Sequence, residues 1–164
     1  VDTDTALQCQ PPGVPRIGPP AKIVQTAREV LFLYDDVNGS FFRIIPTDGR
    51  AHRKDLPSSY LGDAVGKYEG DTLVVETVNF KGPTSLQGSS TQTRLVERFT
   101  RVGPDTITYQ FTVSDPTTLT RPWTAVMPLT RIDELIYEYA CHEGNYGMLG
   151  ILKGARFQEK DAAR

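Results

Sequence analysis

From Asp105 to Val113 apolar and polar side chains alternate without a break: Ile107, Tyr109, Phe111 and Val113 fall on one side, Thr106, Thr108, Gln110 and Thr112 on the other. Successive side chains of a strand point to opposite faces, so a period of two predicts a strand with one dry and one wet face. Trp123, Ala125, Met127 and Leu129 repeat the pattern. The same reading predicts strands at Lys22 to Thr26, Glu29 to Asp35, Ser40 to Pro46, Ala64 to Tyr68, Thr72 to Val78 and Thr93 to Arg101, and a last one at Glu134 to Cys141. Turn residues separate them. Asn38-Gly39 is a strong hairpin signal because both residues tolerate positive φ. Glu69-Gly70-Asp71, Val102-Gly103-Pro104 and Ile132-Asp133 make the later hairpin turns.

Two segments break the alternation. Gln10 to Pro20 holds five prolines, which forbid a helix and favour extended backbone, so residues 1–21 form an arm. Near the other end Met148, Ile151, Leu152 and Ala155 recur at helical spacing, which predicts one amphipathic helix over 145–160, packed on the sheet. About nine strands in sequential hairpins make an antiparallel meander. Closure removes exposed edges, so the expected fold is all-β: a lipocalin-like (calycin-like) barrel over 22–142 with a C-terminal helix, or else a two-layer β-sandwich.

The alternation also singles out one charge. In Thr93 to Arg101, Leu95 and Phe99 flank Glu97 on the same face. If the apolar pair points inward, so does the carboxylate, at a cost of several kcal/mol unless it is paired. An inward arginine such as Arg43 is the natural partner; the other reading reverses the faces of that strand. In the last strand Leu135, Tyr137, Tyr139 and Cys141 share the more core-like face, and His142 falls at its end.

Composition narrows the class. The chain has 164 residues, enough for one domain with its own core. Its 18 basic and 20 acidic residues are spread evenly, for a net charge of −2, which excludes the concentrated basic face that nucleic acid needs and the polybasic anchor of a membrane-surface protein. Without a run of about 18 apolar residues, membrane insertion is not expected. The opening Val1 to Leu7 lacks the basic start and apolar core of a signal peptide, and a chain that begins on Val rather than Met reads as a processed product. Cys9 and Cys141 are either two unrelated thiols or one disulfide tying the arm to the last strand, the second requiring an oxidising compartment.

Several longer runs go beyond periodicity: Cys9-Gln10-Pro11-Pro12-Gly13-Val14-Pro15-Arg16, Glu69-Gly70-Asp71-Thr72-Leu73-Val74-Val75-Glu76-Thr77, Val96-Glu97-Arg98-Phe99, Thr120-Arg121-Pro122-Trp123-Thr124 and Tyr137-Glu138-Tyr139-Ala140-Cys141-His142-Glu143-Gly144-Asn145-Tyr146. Over almost its whole length the chain resembles a large family of exported bacterial proteins of unknown function. The resemblance implies a periplasmic or secreted location, a shared β fold, pairing of Cys9 with Cys141 and, because members of that family are often longer at the N-terminus, an upstream segment. It supplies no mechanism.

The candidate chemistry is modest. His52 and His142 are the only histidines and the cysteines are far apart, so no metal site and no cofactor are expected. Ser58-Ser59 and Ser89-Ser90 sit in loops outside any nucleophile elbow. Glu97, His142, Tyr139 and Tyr109 could converge inside a barrel as the acid–base groups of a cofactor-independent lyase or isomerase. Inward aromatics (Phe32, Phe42, Tyr109, Phe111, Trp123) could instead enclose a small apolar or aromatic molecule, with Arg43 and Arg121 reaching a polar group on it. The third reading is an interaction module with a filled core. An apolar cavity free of ionisable groups favours the binder, one lined by Glu97 and tyrosines the enzyme, and no cavity the module.

Overall fold

The computed structural model describes residues 10–36, 39–82, 89–137 and 146–162. Its strands are β1 (Lys22–Gln25), β2 (Glu29–Asp36), β3 (Gly39–Pro46), β4 (Asp63–Glu69), β5 (Thr72–Val78), β6 (Arg94–Arg101), β7 (Thr106–Ser114) and β8 (Trp123–Thr130), followed by one helix, α1 (Gly147–Ala162). Each strand lies within a residue or two of the span its alternation predicts. The protein is mostly β, with antiparallel strands throughout.

The strands form two sheets, β1-β2-β3 and β4-β5-β6-β7-β8. This corrects the expectation of a closed barrel: among the described residues no ladder joins β3 to β4 or β8 to β1, and the arrangement is sandwich-like. The break falls at the long polar connection from Thr47 to Gly62, which carries the chain off β3 before β4 begins. There the sheets meet closely, and a Cβ added at Gly66 would lie 2.9 Å from Ile45 Cγ2. β2 and β3 pair down to Asp36↔Gly39. The predicted turn residue Asn38 lies outside the described residues, and Gly39 takes φ of 143°.

One core serves both sheets. Val30, Phe32, Tyr34 and Ile45 meet Leu73, Val75, Leu95, Phe99, Tyr109, Phe111 and Val113. Aromatic rings run across it, Phe32 edge-on to Phe99 at 4.9 Å, Phe99 stacked on Tyr109 at 4.7 Å, Tyr109 beside Phe111 at 5.5 Å, and Phe111 edge-on to Trp123 at 5.4 Å. The arm is docked: Val14 and Ile17 belong to the same core, and the chain turns there through Ile17 N–H bonded to Gly13 O. Val14-Pro15 is a cis peptide bond.

Three further expectations change. The strand predicted over Glu134 to Cys141 is absent in its described part, where residues 131–137 are irregular and Leu135 and Tyr137 are 74% and 73% exposed; the remainder lies outside the described residues. Alternation marks a strand only when one face is buried, and among the described residues nothing covers Leu135 or Tyr137. Helix α1 forms where expected, but none of its residues is buried, so it does not pack on the sheet. Phe42 points outward, 61% exposed, because its neighbour Arg43 takes the inward position.

Candidate functional site

The inward faces bring together a polar cluster inside the apolar core. On β3, Phe41, Arg43 and Ile45 face in; on β6, Leu95, Glu97 and Phe99 do. Arg43 thus reaches from the three-stranded sheet to Glu97 on the five-stranded one, and Nη2 lies 2.7 Å from Oε2 with both side chains almost wholly buried. The same Nη2 donates to Thr77 Oγ1 at 2.7 Å, and Nη1 donates to Tyr34 Oη at 3.1 Å. Tyr109 Oη donates to the other carboxylate oxygen, Glu97 Oε1, at 2.9 Å. The ion pair is a close charge contact rather than an aligned N–H bond, since Glu97 Oε2 accepts no hydrogen bond among the described residues; Arg43 Nε likewise has no partner among them. The guanidinium also lies 5.8 Å from the centre of the Phe32 ring.

Burial and charge set the protonation of this cluster. Burial pushes Tyr34 up to about 12; the adjacent guanidinium opposes that, and the Glu97 carboxylate adds to it. Tyr109 is raised by burial first and then by the negative charge it faces. Burial works against the charge on Arg43, but Glu97 and Tyr34 outweigh it and hold the guanidinium protonated. Both phenols therefore stay protonated near neutrality. They are hydrogen-bond partners to a salt bridge, and neither acts as a phenolate base.

Beside the core, between the two sheets' outer strands, lies a cleft of about 1200 Å³. Its walls carry Ile23 of β1, Val30 of β2, Leu73 of β5, Phe99 of β6, Ile107 of β7 and Leu129 of β8. Asp71, Arg101, Asp105 and Arg131 are also among its lining residues. These cations already have protein partners: Arg101 donates to Gly103 O and Pro104 O at 3.1 and 3.0 Å, and Arg131 bonds Asp133 at 3.1 Å and lies 3.7 Å from Asp105. The cleft offers an apolar surface with balanced charge around it.

The sequence-predicted residues separate into groups. Arg43, Glu97 and Tyr109 converge, but in the sealed core, and none of them lines the cleft. Phe111 is a core residue, Trp123 covers it from β8 at 37% exposure, and Arg121 is exposed ahead of that strand. Tyr139, His142, Cys9 and Cys141 lie outside the described residues. Ser58 and Ser59 are exposed.

Sequence reasoning missed two polar clusters. Asp115, 2% exposed, accepts from Ser90 N, Ser90 Oγ, Thr93 Oγ1, Thr117 N and Thr117 Oγ1 at 2.7–3.0 Å, clasping the loops at both ends of the β6–β7 hairpin. Burial works to raise its pKa, yet these donors hold it well below the usual carboxylate range. The signal was present in Asp115-Pro116-Thr117, an Asx-turn sequence. On the outer face of the larger sheet, Asp63 accepts from Arg53 at 3.0 Å and lies 2.9 Å from His52 Nδ1. Burial opposes ionisation there too, and His52 with Arg53 overcomes it, leaving Asp63 lowered.

No three or more metal-ligating side chains come together among the described residues, and none of their helices is long and apolar enough to cross a membrane. In comparison with known proteins, the chain matches no family model, no curated protein and no solved structure.

Proposed function

We propose that this protein binds a small, largely apolar or aromatic, uncharged molecule in the cleft between β1 and β8. The observation that carries the reading is the cleft itself, about 1200 Å³ with walls of Ile23, Val30, Leu73, Phe99, Ile107 and Leu129. Ligand sites are typically concave and apolar, with few polar groups to fix orientation. The wall excludes Glu97 and Tyr109, and the nearby charges are matched in sign, which favours a neutral ligand over an anion or cation. In this reading the curved sheets are an incomplete calycin-like barrel, with the ligand lying where the cylinder is open. The resemblance of its motifs to those of exported bacterial proteins, and the disulfide between Cys9 and Cys141 that the resemblance implies, support work in the periplasm or outside the cell.

The test is titration with N-phenyl-1-naphthylamine, a neutral aromatic fluorophore that brightens in apolar surroundings. Saturable binding at one site is expected. Ile107→Lys, which places an ammonium group on the wall, should weaken it at least about tenfold, because desolvating an unpaired charge is costly. Phe42→Ser, on the opposite face of the smaller sheet, should leave it unchanged. Equal effects of the two substitutions would remove the cleft from consideration.

A further inference from the structure

β8 is the last strand of the larger sheet, and its outer edge is unpaired among the described residues. An unpaired edge is a template for another strand. Its inward side chains, Trp123, Ala125, Met127 and Leu129, are only partly covered. Facing it across the cleft is another sheet edge, β1, which contributes Ile23 and Gln25. The chain leaves β8 into this gap, for Thr130, Arg131 and Ile132 also line the cleft. Beyond Thr130 the chain runs on without a turn or regular structure through 137, with Arg131 Nη2 bonded to Asp133 Oδ1 at 3.1 Å.

We propose that Glu134–Tyr137 is a strap that pairs with the free edge of β8 and closes the cleft over its occupant. In the closed form a three-residue turn over 131–133 sets Glu134 opposite Thr130, Leu135 opposite Leu129, Ile136 opposite Pro128 and Tyr137 opposite Met127. Leu135 and Tyr137, now 74% and 73% exposed, then fall on the inward face beside Leu129 and Met127 and take up part of the cleft. That also reconciles the volume, since about 1200 Å³ exceeds the usual 300–1000 Å³ of a small-molecule site.

The backbone fits as well. Arg131 N–H donates to Asp105 O on the β7 side, so in an alternating ladder Leu129 and Met127 also turn their amides towards β7. Thr130 and Pro128 then face the free edge. The carbonyls of Thr130 and Pro128 can accept from Glu134 and Ile136, but Pro128 has no N–H to give back. A proline is tolerated on such an edge, and the missing rung makes the strap weaker than an ordinary strand and able to open.

The proposal rests on the ligand-site reading for what the strap encloses, not for the pairing itself. Amide hydrogen exchange of the unmodified protein, with and without N-phenyl-1-naphthylamine, tests it first. Ile136 N–H is expected to exchange at least about tenfold more slowly than the amides of Leu135 and Tyr137, with further slowing when the probe binds. Equally fast exchange at all three positions overturns the strap, and probe binding under those conditions would still uphold the cleft. Protection of Ile136 without any probe binding supports the strap and removes the ligand. A second measurement fixes the register. Leu129→Cys with Leu135→Cys should oxidise readily, because non-hydrogen-bonded pairs approach within disulfide range, whereas Leu129→Cys with Ile136→Cys should not. Equal or reversed yields, mapped by mass spectrometry against the native cysteines, overturn the proposed pairing.

Discussion

At the residue scale, Glu97 shows how far a single alternation can be taken. Its place between Leu95 and Phe99 makes it an inward carboxylate and makes an inward arginine necessary; Arg43 is that arginine, bridging the two sheets. Tyr109, expected to converge with Glu97, does so from the neighbouring strand, but the sequence could not show that Tyr34 completes the cluster, because that depends on which strands face one another across the core. Nor could it show that the cluster is sealed off from the cleft. A buried pair with one partner removed leaves an uncompensated charge, so Glu97→Gln should destabilise the fold by about 3–5 kcal/mol in a denaturant titration. The double substitution Arg43→Met with Glu97→Leu should recover most of that loss, as apolar replacements of buried pairs often do. A double variant no more stable than Glu97→Gln would contradict the assignment of this pair as an internal charge balance.

The buried carboxylates also set the acid limit. Asp115 and Asp63 both titrate in the folded protein below the usual aspartate range of about 3.9. Their folded-state pKa values are lower than those of the unfolded chain, so the stability they contribute is fully present above about pH 4 and is lost as pH falls towards the folded values. The thermal midpoint should decline below pH 4. In Asp115→Asn it should start lower at pH 6 and decline less steeply. A parallel decline in the two proteins would mean that Asp115 is not among the groups responsible.

At the element scale, strands were legible because each has a buried face that forces a period of two, and because Gly70 and Gly39 mark turns that need positive φ. The ninth strand and the docking of α1 were not recoverable for one shared reason. Periodicity identifies an apolar face but does not say what covers it, and among the described residues nothing covers Leu135, Tyr137 or the α1 stripe. The break between the sheets was equally invisible, since Ala51 to Asp63, polar and holding Pro57, reads as a long connection in either a barrel or a sandwich. At this junction the missing side chain of Gly66 lets β4 approach Ile45 and Thr47. Gly66→Val would push into Ile45 and should cost about 1–3 kcal/mol, the usual penalty for overpacking. A thermal midpoint equal to that of the native protein would show that the sheets have slack at this junction.

At the scale of the whole molecule, two sheets share one core and part company on one side, and the proposed function depends on that opening. The molecule offers a competing apolar surface, the outer face of the smaller sheet, where Val24, Phe42 and Ile44 are 37%, 61% and 49% exposed. A probe that simply seeks grease would settle there as readily as in the cleft. Methyl NMR spectra recorded during titration with N-phenyl-1-naphthylamine separate the two. The account predicts shifts at Ile23, Leu73, Ile107 and Leu129, with Leu31, Leu33 and Ile44 unmoved. Shifts centred on Ile44 and its neighbours, or no shift at the cleft methyls at saturating probe, would contradict it.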